Sequence, residues 1–226
     1  MYITYFGHSC FQIENEGTKI LFDPFIRPNA LASHIDIEKI NPDVVTISHG
    51  HSDHIADAEE IIRRSGAKFF TNFEIYSWLS SKGLDNGHPM NTGGSVKLDW
   101  GKLSLTPALH SSSLPDGSYG GSANGIHIQF SDINIYFAGD TDLFSDMRLI
   151  KEKYNPNVAF LPIGDNFTMD IYSAAQAAEI LGTSKVIGMH YNTFPYIIID
   201  MEEALEAFNK RGVELILMEI GSTINI

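Results

Sequence analysis

One heptapeptide, Ser48-His49-Gly50-His51-Ser52-Asp53-His54, constrains this chain more than any other stretch. It packs three imidazoles and a carboxylate into six residues, directly after the β-branched, nearly all-apolar run Asp43–Ser48. That run reads as a strand covered on both faces, and open α/β sheets place ligand sites in the loops beyond the carboxyl ends of such strands. Two histidines at i and i+2 converge on one ion from an extended loop, and the adjacent Asp53-His54 pair turns toward a second. Imidazole with carboxylate suits zinc, and less exclusively iron or manganese. Gly50 and Ser52 are small enough to let the loop fold back on the ions. The competing reading is a polar loop with chance histidines; nine histidines in 226 residues make three in six positions a poor coincidence.

Flanking patterns give the class. Tyr2–Phe6, Phe11–Glu14 and Lys19–Phe22 alternate like antiparallel strands, punctuated by Gly7 and the turn Asn15-Glu16-Gly17. After the loop 49–56, helical spacing over Asp57–Ser65 and Phe73–Lys82 brackets a strand at Ala67–Thr71. Ser95–Trp100 with Leu103–Leu109, and Gly125–Phe130 with Ile133–Ala138, read as two hairpins, separated by the Ser/Gly-rich loop Ser111–Asn124. Helices near Asp146–Tyr154, Ser173–Leu181 and Met201–Lys210 then alternate with strands at Val158–Leu161, Lys185–Met189 and Val213–Met218. A β-rich stretch followed by β-α-β-α occurs twice, which predicts α/β architecture in two similar halves.

The bulk properties narrow partners and compartment. With 43 % hydrophobic and 19 % charged residues the chain can bury a sizeable core. A formal charge of −13 and the absence of a Lys/Arg cluster argue against nucleic acid; bound metal ions would still supply local positive charge for an anionic substrate. The lone Cys10 suits a reducing compartment. No basic-then-apolar leader opens the chain, and no apolar stretch approaches the roughly 20 residues that span a bilayer. A cytoplasmic protein is expected.

His49-x-His51-x-Asp53-His54 resembles the signature of the metallo-β-lactamase superfamily, whose further positions match His110, Asp140 in Phe137-Ala138-Gly139-Asp140-Thr141, and His190 in Gly188-Met189-His190-Tyr191. Tyr5-Phe6-Gly7-His8-Ser9-Cys10-Phe11, Phe22-Asp23-Pro24-Phe25, Leu161-Pro162-Ile163-Gly164, Phe167-Thr168-Met169 and His190-Tyr191-Asn192-Thr193-Phe194-Pro195 are similar to one branch of small metal-dependent hydrolases. That branch lies near the ascorbate-6-phosphate lactonases and the phospholipase D that cleaves N-acyl phosphatidylethanolamine. The resemblance implies a four-layer αβ/βα sandwich, two mixed β-sheets packed face to face with helices outside, and residues 1–226 as a single metallo-hydrolase domain.

It also implies two divalent metal ions, zinc first, with manganese or iron as alternatives. His49, His51 and His110 would hold one, Asp53, His54 and His190 the other, and Asp140 would bridge. The expected chemistry is hydrolysis by a dinuclear-metal-bound hydroxide acting on a small ester, lactone or phosphodiester, with Asp53 orienting the water or taking its proton. His8 follows a glycine between the first two strands; it is expected to donate a hydrogen bond to substrate or leaving group, against the alternative of a buried turn histidine. Asn192 is a second candidate substrate contact. The partner is then a small anionic molecule, with no nucleic acid and no membrane span, and self-association into a homo-oligomer left open. A di-iron redox enzyme of the same fold would carry Glu where His51 stands and a flavin domain; a nuclease would carry basic surface. Cys10, in an alternating strand, reads as a small core residue, and His127 as a strand-face residue. His34 and His88 sit in polar loops.

Overall fold

The computed structural model describes all residues 1–226. The strands and helices in chain order are β1 (Tyr2–Gly7), β2 (Cys10–Asn15), β3 (Thr18–Phe22), β4 (Val44–Thr46), α1 (Ser52–Ile55), α2 (Ala58–Ser65), β5 (Lys68–Asn72), α3 (Phe73–Ser81), β6 (Gly87–Met90), β7 (Ser95–Leu98) and β8 (Gly101–Pro107). They continue with β9 (Asn124–Gln129), β10 (Asn134–Phe137), α4 (Met147–Tyr154), β11 (Val158–Pro162), α5 (Ile171–Leu181), β12 (Lys185–Met189), α6 (Met201–Asn209), β13 (Glu214–Ile216) and β14 (Thr223–Asn225). The α/β class expected from the sequence is present as two mixed seven-stranded sheets with helices. No helix is long and apolar enough to cross a membrane.

Two compact units are interleaved along the chain. The first comprises Met1–Thr92, Ser111–Ala123 and Glu219–Ile226; the second comprises Gly93–His110 and Asn124–Met218. The first unit's sheet runs β14-β1-β2-β3-β4-β5-β6. Its β14 to β3 pairs are antiparallel and its β3 to β6 pairs parallel. Ile61 and Ile62 of α2 are buried in a core with Leu21, Val45 and Phe69 of the sheet and Ile47 just beyond β4. Each such isoleucine contributes about 1.5–3 kcal/mol by leaving water. The helix ends at Gly66 in a left-handed conformation. Asp57, at its start, turns away from capping and accepts hydrogen bonds from Ile26 N (2.5 Å) and Arg27 N (3.0 Å), so the 24–27 loop is tied to the helix. Asn72 caps α3 by accepting from Ile75 N, while its amide donates to Gly120 O and Ser122 O. One side chain thereby starts a helix and tethers the loop 111–123.

The second unit repeats the plan with the order β13-β12-β11-β10-β9-β8-β7. Its β10 to β13 pairs are parallel and its β7 to β10 pairs antiparallel. Buried Ala174, Ala175, Ala177 and Ala178 give α5 a thin apolar face, capped at its start by Asp170, which accepts from Ser173 N.

Several details depart from the sequence reading. The loop 49–56 is not extended throughout, because Ser52–Ile55 close one helical turn with His51 at its N-terminal boundary. The strand read over Asp43–Ser48 pairs regularly only at Val44–Thr46, though Asp43 and Ile47 still exchange irregular backbone bonds with Lys19, Lys68 and Phe70. Gly101 belongs to β8 and pairs with Leu98, leaving Asp99-Trp100 as the turn. The strand β6 carries no alternating or β-branched signal in the sequence, and β14 is too short to show an alternation.

Candidate metal centre

In the first unit the heptapeptide leaves the carboxyl end of β4, and the turn α1 swings Asp53 and His54 back toward His49. His49 and His54 are fully buried, with ring centroids 4.1 Å apart. Asp23, also fully buried, sets both rings. Its Oδ1 accepts from Ser48 N (2.7 Å) and its Oδ2 from Ser48 Oγ (2.5 Å) and His54 Nδ1 (2.7 Å). Because the Ser48 hydroxyl proton goes to Asp23, Ser48 Oγ accepts from His49 Nδ1 at 2.9 Å. Both imidazoles therefore carry their proton on Nδ1, and Nε2 is the lone-pair atom in each. Burial pushes the Asp23 carboxyl up from the usual range, opposed by the bonds from His54 and Ser48. Asp23 lies close enough to His49 and His54 to serve as a ligand itself. Its oxygens are spent on three donors, which makes it the group that aims the ligands.

The remaining donors follow. His51 Nδ1 lies 3.0 Å from His49 Nε2. Its Nε2 is 3.4 Å from Ser111 Oγ, and because His49 keeps its proton on Nδ1, His51 Nδ1 donates to His49 Nε2 in the absence of a cation, which would take that proton's place between the two nitrogens. Asp53 Oδ2 lies 3.9 Å from His54 Nε2. His8 occupies the two-residue turn between β1 and β2 with φ +56°. It is fully buried, and its Nε2 is 3.1 Å from Asp53 Oδ2. The loop 111–123 leans on the motif, since Ser112 Oγ accepts from Gly50 N and donates to Gly120 O.

The second unit assembles a smaller set, again beyond strand ends: His110 after β8, Asp140 after β10 and His190 after β12. Asp140 Oδ2 lies 3.0 Å from His190 Nε2 and 3.5 Å from His110 Nε2. Thr141 locks the spacing: its Oγ1 accepts from Leu109 N and donates to Asp142 O, and its carbonyl accepts from Met169 N. His190 has φ +57°. Gly164 is required beside it, because a Cβ there would lie 2.1 Å from His190 O.

The donor chemistry of both sets fits divalent transition-metal ions. Neutral imidazoles and carboxylates make up each set, and two ligands of a tetrahedral zinc ion with bonds of about 2.0–2.1 Å stand about 3.3 Å apart, close to the 3.0–3.5 Å of the His49–His51 and Asp140 pairs. The remaining candidates make the following contacts. Asn192 uses its side-chain carbonyl to accept from Ile199 N (2.9 Å), which holds its own loop. Cys10 is a buried core residue whose thiol is pushed up by burial. His127 sits on β9, stacked on Tyr154; His88 on β6 lies beside Phe70; His34 approaches Ile220 O. Sequence reasoning missed the aiming role of Asp23 and Ser48. Both stand in quoted motifs, but only the fold shows that residues 23, 48 and 54 meet.

Comparison with known proteins agrees with this chemistry. Residues 2–190 match the family described as beta-lactamase superfamily domain. The chain is 45 % identical over 224 residues to a UPF0173 metal-dependent hydrolase of Methylacidiphilum infernorum, covering 99 % of each. It is 42 % identical over 231 residues to a UPF0173 metal-dependent hydrolase of Bacillus subtilis, covering 100 % of each. Among solved structures it is similar to Igni18, a metallo hydrolase from the archaeon Ignicoccus hospitalis, with a TM-score of 0.90 and 43 % identity, covering 99 % of this chain and 97 % of that one.

Proposed function

Because this chain belongs to the metallo-β-lactamase superfamily, among its UPF0173 metal-dependent hydrolases, we propose that residues 1–226 act as one hydrolase domain on a small ester, lactone or phosphodiester. The observation that carries the reading is the buried Asp23 frame, which leaves His54 and His49 with Nε2 as their ligand atoms. The family order of residues supports His49, His51 and His110 as ligands of one divalent ion, Asp53, His54 and His190 as ligands of another, and Asp140 as the bridge. Zinc suits this donor set best, with manganese or iron as alternatives. Bound ions would supply an acidified water and stabilise the negative charge that develops on the attacked oxygen.

The protein's own groups divide the remaining work. Asp53 Oδ2 orients the water and receives its proton. His8 Nε2, 3.1 Å from that oxygen, hydrogen-bonds substrate or passes a proton to the leaving group. With only two carboxylates among the seven residues that would hold the ions, a loaded centre would stay positive and would attract an anionic reacting group. The acidic chain disfavours nucleic acid as that substrate, and a lone buried thiol suits the cytoplasm.

The test is a panel of one ester, one lactone and one phosphodiester assayed on protein of measured metal content. Hydrolysis of at least one member, abolished by chelation and restored by zinc, manganese or iron, is expected. Turnover indifferent to chelator, or dioxygen uptake in its place, would refute it.

A further inference from the structure

The loops that follow β11 and β12 display an aromatic pair that the donor chemistry leaves unused. Phe167 is 51 % and Tyr196 73 % exposed, and their rings meet edge to face at 6.2 Å. The chain is built to present them. Asp165 and Asn166 adopt φ of 60° and 54°, a conformation disfavoured for residues with a Cβ. The turn they make is closed by Asp165 N donating to Met169 O and Thr168 N donating to Asp165 O. Within it Met169 is buried and Phe167 is outside. Pro195 starts the turn Pro195–Ile197, which sends Ile197 inward and Tyr196 outward. Each loop thus buries one apolar side chain and displays an aromatic one.

Their position is fixed by backbone contacts. A Cβ on Gly164 would meet both His190 O and Ile197 Cβ, so residues 164, 190 and 197 touch. Tyr196 adjoins Ile197, and Phe167 is three residues beyond Gly164, a reach of at most about 11 Å. Met169 N bonds Thr141 O, next to Asp140. The two loops that carry the pair therefore lie against the backbone of His190 and of Thr141, the residue after Asp140. The chain segments flanking the pair carry Asp165, Asp170, Asp200, Glu202 and Glu203.

Resting on the hydrolytic reading of this centre, we propose that Phe167 and Tyr196 are the specificity platform for an uncharged apolar group attached to the scissile bond. An acyl chain or aromatic ring fits an exposed aromatic surface, and the acidic residues flanking it in the chain disfavour a second carboxylate at that end.

A series of esters of one alcohol with acetyl, butyryl, hexanoyl and glutaryl groups tests this in the metal-replete enzyme. A half-covered methylene adds about twofold to kcat/KM, so hexanoyl should exceed acetyl by about tenfold or more, and also exceed glutaryl. In the double variant Phe167→Ala/Tyr196→Ala the hexanoyl-to-acetyl ratio should fall to about one or two. Phe167→Leu/Tyr196→Leu, which keeps an apolar surface, should retain it. A ratio unchanged in the double alanine variant overturns the proposal. Should the native protein hydrolyse no ester with any metal, the ester branch of the hydrolase reading fails separately, and saturation-transfer NMR decides the platform. Hexanamide should then receive signal from the native protein and lose it in the alanine variant, and equal transfer overturns the proposal. Self-association abolished by the alanine pair while hexanamide transfer persists makes a second copy of the chain the occupant, which also overturns it.

Discussion

Replacing His127 with phenylalanine should remove a defined part of this protein's sensitivity to acid. His127 is 2 % exposed on β9, and its ring stacks on Tyr154 at 4.1 Å and 26°. Burial pushes its pKa from 6.5 down to about 4, with Lys102 and Lys153 acting in the same direction and Asn134 opposing. In the unfolded chain the imidazole takes up its proton near pH 6.5, whereas the folded chain refuses it until about pH 4. The unfolded state therefore binds more protons between these values, and stability present above pH 6.5 is lost as pH falls toward 4. A shift of that size is worth about 3 kcal/mol in full, about 2.5 of it by about pH 4.5.

Phenylalanine keeps the stacked ring and cannot titrate. Urea unfolding of both proteins from about pH 7.5 to about pH 4.5 should show the native chain losing about 2.5 kcal/mol more than His127→Phe. Acid effects at the metal donors are common to both proteins and cancel in the difference. Stability curves that fall in parallel would show that the folded protein accommodates a charged His127, and the reasoning from burial would fail.

Two substitutions probe the frame around the donors. Asp23→Asn preserves shape but weakens the bonds that hold His54 and, through Ser48, His49; metal affinity should fall about 10–100-fold in chelator competition, and unchanged affinity would remove Asp23 from the aiming role. Gly164→Ala forces a Cβ to 2.1 Å from His190 O. It should cost about 1–3 kcal/mol in urea unfolding and lower metal retention, whereas a native-like midpoint would show that the loop yields freely.

What the sequence revealed, and what it hid, follows from how local each signal is. The alternation in β1 to β3 and the apolar runs of β11 and β12 are written in neighbouring residues, so they could be read. Gly87–Met90 reads Gly-His-Pro-Met, without β-branched residues, and gave no strand signal. It pairs with β5 because Gly87 leaves space for Phe69, whose ring atoms would lie 2.2 Å from an added Cβ. That reason sits 18 residues upstream. The three residues of β14 are too short for any period to show. In the heptapeptide the chemistry was legible and the shape less so: a single turn at Ser52–Ile55 lies below the length at which helical spacing declares itself. Asp23 illustrates the limit most plainly, since its three hydrogen bonds reach across 25 and 31 residues.

The seam between β1 and β14 has a consequence for how the first unit is completed. Thr4 and Thr223 meet there across a sequence separation of 219, and Tyr2, Ile3 and Thr4 pair with Asn225, Ile224 and Thr223. The outer side of β1 is thus sealed by a segment that joins only after a long excursion of the chain, and closing so wide a loop is slow. Until it does, β1 offers a row of open hydrogen-bonding groups to any other strand, including the same strand of a neighbouring copy. A nascent or truncated chain ending before residue 219 would hold His49, His51, Asp53 and His54 and yet expose this border. Loss of so few residues is therefore expected to surface first as clumping in concentrated or warm solution, with chaperone dependence in the cell.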